Sequence, residues 1–138
     1  MRRVVLDPGV LASALISPQG APAKLLTEIR AGAFELIVSP HLLEELQGVL
    51  RREKFRRYAD MATVRDYIEM LRRDASRTVD PEAPPPLRSK DPDDDYLIAL
   101  AHSQNAILVS GDADLLDLVG GAPILAPADL LAEPALGG

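Results

Sequence analysis

Apolar residues along the chain come in short runs and in helical stripes, separated by turn-forming residues. Val4-Val5-Leu6 is a compact apolar run that predicts a buried strand ending at Asp7, and Pro8-Gly9 reads as a turn after it. Across 21–31, Leu25, Leu26 and Ile29 fall on one face of a helix that Gly32 would stop. Residues 34–38 read as a second strand. Ser39-Pro40 then supplies a capping hydroxyl and a proline suited to the first helical position, so a helix should carry Leu42, Leu43, Leu46, Val49 and Leu50. A further helix is predicted over 61–73 and a short strand at Thr78-Val79. Four prolines between Asp80 and Lys90 make that stretch a loop. Beyond it the pattern predicts a helix over 96–102, a strand over 106–109, a short helix over 115–119, a strand over 123–125 and a helical turn over 127–131. The last residues, about 134–138, should fray.

Strands that alternate with helices predict an α/β fold, here a three-layer α/β/α sandwich around a mainly parallel sheet, in one domain over 1–138. In such sheets ligands gather at the carboxyl ends of the strands. The chain has no Cys, which excludes disulfides and thiolate metal sites. Its apolar runs are too short for a signal peptide or a membrane span, so a cytoplasmic location is expected.

The net charge of −6 argues against a nucleic-acid partner until its distribution is considered. Residues 51–77 hold nine basic and five acidic side chains, a surplus of +4, and the remainder of the chain stands at −10. Arg51, Arg52, Arg56 and Arg57 are therefore candidates for contacts to a phosphodiester backbone. Aromatic content of 4% makes base stacking a weak prospect.

The acids are placed more tellingly than they are numerous. Asp7 closes the first strand, where a cap for a turn or helix is an equally good role. At about 100° per residue, Glu44 falls opposite the apolar stripe centred on Leu46, whereas Glu45 falls on its border and can reach inward. In Asp91-Pro92-Asp93-Asp94-Asp95, Asp91 suits a helix cap and the following acids suit the helix dipole. Asp94 precedes Leu97, Ile98 and Ala101 at helical spacing and stands above the buried face; Asp95 is rotated away. Asp112 follows the strand 106–109 after Ser110-Gly111. The glycine permits close backbone approach to a ligand, Ser110 could orient a carboxylate or a water, and Asp114 could cap the next helix and leave Asp112 free. His41 and His102 stand alone and read as surface or packing residues. With no Cys and no paired His, zinc is disfavoured. No P-loop, dinucleotide fingerprint or nucleophile elbow is present.

Crowded carboxylates at one sheet edge are costly without a cation, which points to a divalent metal and to metal-assisted hydrolysis. A receiver or phosphatase fold also places Asp after its first strand, but no second Asp stands two residues after Asp7 and no late Lys is suitably placed.

The ordered set Val4-Val5-Leu6-Asp7, Ser39-Pro40-His41-Leu42-Leu43-Glu44-Glu45-Leu46, Asp91 through Ala101, and Leu108-Val109-Ser110-Gly111-Asp112-Ala113-Asp114 resembles the PIN domain family. Within that family it is most similar to the toxin components of toxin–antitoxin systems, related to VapC-like ribonucleases. The resemblance spans residues 4 to about 131. It implies a metal-dependent endoribonuclease acting on single-stranded RNA, with Asp7, Glu45, Asp94 and Asp112 as catalytic and metal-binding acids. Asp95 and Asp114 are implied as secondary ligands and Ser110 as a supporting hydroxyl. It also implies Mg²⁺ or Mn²⁺ as cofactor, an antitoxin partner and a homodimer. The family's first motif is usually Asp-Thr-Asn, and this chain has Asp7-Pro8-Gly9. Pro8 lacks the hydroxyl and the amide hydrogen, and Gly9 lacks the Asn side chain. The alternative is a catalytically impaired PIN fold that binds RNA or protein.

Overall fold

The computed structural model describes residues 1–85, 88–89, 91–118 and 123–133. Five parallel strands form one sheet: β1 (Arg2–Leu6), β2 (Phe34–Val38), β3 (Ser76–Arg77), β4 (Ile107–Val109) and β5 (Ile124–Leu125), in the order β3-β2-β1-β4-β5. The central β1 pairs with β2 through Val4 opposite Leu36 and with β4 through Leu6 opposite Val109. Val4, Val5, Leu6, Ile37, Val38, Leu108 and Val109 are fully buried. A strand covered on both faces has no solvent side on which to alternate, which explains the unbroken apolar runs.

Eight helices are described: α1 (Pro8–Ile16), α2 (Ala21–Arg30), α3 (Pro40–Leu50), α4 (Glu53–Arg56), α5 (Met61–Asp74), α6 (Asp95–Ser103), α7 (Ala113–Leu116) and α8 (Pro127–Ala132). Helix α1 packs on α2 and α3, and α3 on α5, forming one layer over the sheet. The chain then crosses from β3 back past β1 to β4. The right-handed rule for such crossovers puts α6, which packs on β1 and β4, on the other face. This α/β/α sandwich is the arrangement the alternation of strands and helices predicts.

Most helix starts are set by local chemistry. Ser39 Oγ accepts the Leu42 N–H at 3.3 Å at the head of α3, with Pro40 in the first position. Asp60 Oδ1 accepts the Thr63 N–H at 2.8 Å at the head of α5. Asp91 accepts the Asp93 N–H at 3.0 Å and caps a 3-10 turn (Pro92–Asp94) that leads into α6. Gly32, at φ 96°, ends α2 in the left-handed region where a Cβ would be strained.

Helix α4 was not expected from the sequence, and three further elements depart from the expectation. Pro8-Gly9 does not turn the chain away; it opens α1, with Asp7 as the cap and Pro8 in the first turn, where a missing amide hydrogen costs nothing. Helix α1 buries Pro8, Val10, Leu11, Ala12 and Ala14, so it shows no clear polar stripe by which to recognise it. Strand β3 lies at Ser76–Arg77 and not at Thr78-Val79, because Ile37 and Val38 of β2 pair there and Val79 is left exposed. Its β-branched side chain favoured a strand, but pairing decided the register. Helix α7 begins at Ala113, before the expected Leu115. The proline-rich loop and the expected helix end at Val119 lie partly outside the described residues, and the tail from 134 wholly outside them.

Across the helical layer, the Tyr67 hydroxyl donates to the Leu11 carbonyl at 2.6 Å and ties α5 to α1; burial pushes its pKa up. Leu46 of α3 is fully buried and Glu44 on the same helix is exposed. Leu46→Ala should lower the free energy of unfolding by about 2–5 kcal/mol in urea titrations. Glu44→Ala should change it by less than about 0.5 kcal/mol.

Candidate functional site

Because every strand is parallel, the carboxyl ends of β1, β2, β3 and β4 share one edge of the sheet. Helices α3 and α6 start there, since each runs back antiparallel to the strand it adjoins. The chain reverses its order across the sheet at β1 and β4, the place where such folds open a crevice. Asp7 follows β1 and Asp112 follows β4, so these two acids flank that point.

Asp7 is the anchor. It is 8% exposed, and its Oδ1 accepts the Val10 N–H at 2.7 Å as the cap of α1. Its Oδ2 accepts the Ser110 hydroxyl, which is fully buried. Burial pushes the Asp7 pKa up, the bonds from Ser110 and Val10 pull against it, and the charge of Asp112 adds to the rise. Ser110 Oγ also accepts the Asp112 N–H at 3.0 Å, so one hydroxyl joins the ends of β1 and β4. Gly9 lies close by: a Cβ there would stand 3.3 Å from Asp7 Oδ1, tighter than most such contacts. At Gly111, by contrast, a Cβ would meet nothing within 4 Å, so no protein contact demands a glycine there.

Asp112 is exposed and is not left free by Asp114, as the sequence suggested. It is itself the cap of α7, its Oδ1 accepting the Asp114 N–H at 2.9 Å. The cap moved because the helix starts two residues earlier. Asp114 sits half-buried in the first turn of α7.

Asp94 is partly buried at the start of α6. Burial first, then the charges of Asp91, Asp112, Asp7 and Glu45, push its pKa up to about 6. These acids come from separate parts of the chain, so Asp94 lies within electrostatic reach of all of them. Asp95 turns elsewhere: it accepts the Ser89 N–H at 2.8 Å and pairs with Arg88 at 3.3 Å, holding the end of the proline-rich loop. Glu45 is partly exposed on α3, with Oε1 3.6 Å from His41 Nε2, and Glu44 points to solvent.

Three features escaped sequence reasoning. Asp80 accepts the His41 N–H at 3.0 Å through Oδ2, while its Oδ1 is buried with no partner among the described residues. The Tyr96 hydroxyl is likewise buried with no partner among the described residues. Burial and then the charges of Glu45, Asp7, Asp80 and Asp94 push the Tyr96 pKa up. His41, expected to stand alone, stacks on Tyr96 with ring centroids 3.8 Å apart. The partners lie 39 and 55 positions away in sequence, and neither pairing leaves a local signal.

Arg51, Arg52, Arg56 and Arg57 lie exposed around the end of α3 and along α4, and none forms an ion pair among the described residues. Among those residues no helix is long and apolar enough to cross a membrane.

The sequence matches the PIN domain family over residues 3–114. The chain belongs to the PIN domain family. Protein MJ1680 of Methanocaldococcus jannaschii is 31% identical to it over 118 residues, covering 84% of this chain and 74% of the relative. Two solved structures share the fold. VapBC2 from Rickettsia felis, bound to a DNA fragment from their promoter, superposes with a TM-score of 0.61 at 12% identity, over 88% of this chain and 96% of that one. PAE2754 from Pyrobaculum aerophilum gives 0.60 at 20% identity, over 96% and 91%. PIN domains are generally nucleases that use divalent metals.

The acids of this PIN domain suit such an ion in chemistry. Their donors are all oxygen, as Mg²⁺ and Mn²⁺ prefer. Two polar atoms beside them, Asp80 Oδ1 and the Tyr96 hydroxyl, are buried with no partner among the described residues. In the arrangement described, no three Asp, Glu or His residues stand close enough to hold one ion among the described residues, so side chains would have to draw inward.

The raised pKa of Asp94 has a consequence for stability. A carboxyl that binds its proton more tightly in the folded chain favours folding as pH falls from about 6 toward its ordinary 3.8, and that contribution is absent above 6. The metal-free protein should therefore show a higher Tm at pH 5 than at pH 7 by differential scanning calorimetry. Asp94→Asn should raise the Tm at pH 7 and flatten the difference.

Proposed function

We propose that this PIN domain is a Mg²⁺- or Mn²⁺-dependent endoribonuclease that hydrolyses phosphodiester bonds of single-stranded RNA. Asp7, Glu45, Asp94 and Asp112 are the acids that would hold the ion, with Asp95 and Asp114 as secondary donors. The observation that supports this most directly is the placing of Asp94, whose pKa is raised first by burial and then by the charges of Asp91, Asp112, Asp7 and Glu45, so acids from four parts of the chain stand within electrostatic reach of one another. Independent surface acids would not feel one another in this way, and a cation relieves the repulsion.

A divalent ion held by these acids would supply an acidified water and neutralise charge on the scissile phosphate. The chain's own residues do the rest. Ser110 and the Val10 N–H fix the Asp7 carboxylate, so at least one donor keeps its place before any ion arrives. Asp112 is held to the same hydroxyl through its backbone. Glu45 is the adaptable member, because among the described residues its close partner is His41 at 3.6 Å, too far for a hydrogen bond. Arg51, Arg52, Arg56 and Arg57 would hold the RNA backbone beyond the acids. In the net hydrolysis the water oxygen would bond to phosphorus, the bond from phosphorus to the ester oxygen would break, and a proton would pass from the water to the departing oxygen.

In biological terms the reading is a cytoplasmic toxin of a toxin–antitoxin pair, restrained by an antitoxin protein and acting as a homodimer. It draws on the family and on the likeness to VapBC2. A second reading, a PIN fold that binds RNA or protein without cutting, is favoured by Pro8-Gly9 in the first motif. Single-stranded RNA incubated with Mn²⁺ and resolved on gels separates the two. Cleavage by the wild type, reduced at least about 100-fold in Asp94→Asn and in Asp7→Asn, is the expected result. Equal rates in wild type and Asp94→Asn would reject the site, and no cleavage by the wild type would favour the binding module.

A further inference from the structure

The His41–Tyr96 stack belongs to none of the roles given above. The two rings lie 3.8 Å apart with planes inclined by only 13°. Tyr96 comes from α6, two residues after Asp94, and its hydroxyl is buried, so its ring is seated in the protein. His41 is the second residue of α3; its side chain is 47% exposed. One face of the imidazole is therefore occupied by Tyr96 while much of the ring remains open to solvent, one helical turn from Glu45.

The surroundings limit what can settle there. Glu45 lies beside the imidazole and Asp80 accepts from the His41 backbone, so a phosphate would meet negative charge. A nucleobase is the uncharged, flat part of a nucleotide, and it stacks on an aromatic ring whatever its sequence identity. Tyr96 holds the His41 ring in place, so little side-chain freedom remains to be lost on binding. From His41 to Arg51 the helix rises about 15 Å, and the cationic residues follow at that end. A strand lying along α3 would thus have one base fixed near the acids and its phosphates met by arginine farther on.

We infer that His41, backed by Tyr96, is a stacking platform for one unpaired nucleobase of the RNA substrate, beside the phosphodiester to be cut. This rests on the ribonuclease reading. It also revises the expectation from aromatic content, because the platform is an imidazole made effective by a tyrosine beneath it.

The test uses the full chain, Ca²⁺ in place of Mn²⁺, and short single-stranded RNAs carrying 2-aminopurine at successive positions. Binding should quench 2-aminopurine strongly at one position. His41→Ala should lose that quench and bind about 5- to 100-fold more weakly, whereas His41→Phe should keep both. Replacing the same nucleotide by an abasic one should weaken the wild type by a similar factor and leave His41→Ala unaffected. This arm also supplies the answer if His41→Ala fails to fold. An unchanged quench in His41→Ala, or a Phe variant as weak as the Ala variant, would overturn the platform. If that happens while the wild type still cleaves RNA in Mn²⁺, the ribonuclease reading survives alone. A platform signature without cleavage would sink the ribonuclease reading and leave the stacking intact, and no RNA binding by the wild type would overturn both.

Discussion

Carboxylates repel one another, so a fold that gathers several at one edge must fix some of them firmly. Here Asp7 carries that constraint. It is buried between β1 and β4, one oxygen taken by the Val10 N–H and the other by the Ser110 hydroxyl. Those bonds favour the ionised form, and burial opposes it. The same two bonds start helix α1 and tie β1 to the turn after β4, so removing the carboxylate would disturb the local fold as well as the charge. Around this fixed point the other acids are less constrained: Asp112 by its cap on α7, Asp94 by its place at the head of α6, and Glu45 by its approach to His41 at 3.6 Å.

The departure at the first motif is less disruptive than its chemistry suggests. Pro8 occupies a helix position where the lost amide hydrogen has no intrahelical partner to serve. Gly9 leaves the room that Asp7 Oδ1 uses, since a Cβ there would lie within 3.3 Å of it. The pair thus keeps the carboxylate in place, although it contributes no side-chain hydrogen bonds of its own. Family membership follows from the match over residues 3–114 and from the MJ1680 relative; the structural neighbours add the fold.

Much of this was legible in the sequence where the signal is local. Ser39-Pro40 marks a helix start because capping acts within three residues. The orientation of Glu44 and Glu45 follows from helical geometry, and Asp91 caps its turn as its spacing predicts. The alternation of strands such as β1, β2 and β4 with helices predicted the parallel sheet. The failures have a common cause. Helix α1 is apolar nearly throughout, so burial erased its periodicity. Asp112 and Asp114 both suit a cap, and Asp112 takes it because α7 starts at Ala113 and not at Leu115. The roles of Asp80, His41 and Tyr96 depend on contacts between distant segments, which no local pattern encodes.

The two outermost strands, β3 and β5, are only two residues long. A sheet usually grows by recruiting a foreign strand along an unpaired border, and so little backbone offers a poor seam for such recruitment. Edge-to-edge pairing of two copies, the first step toward a cross-β fibril, is therefore disfavoured at β3 and β5 in the native state.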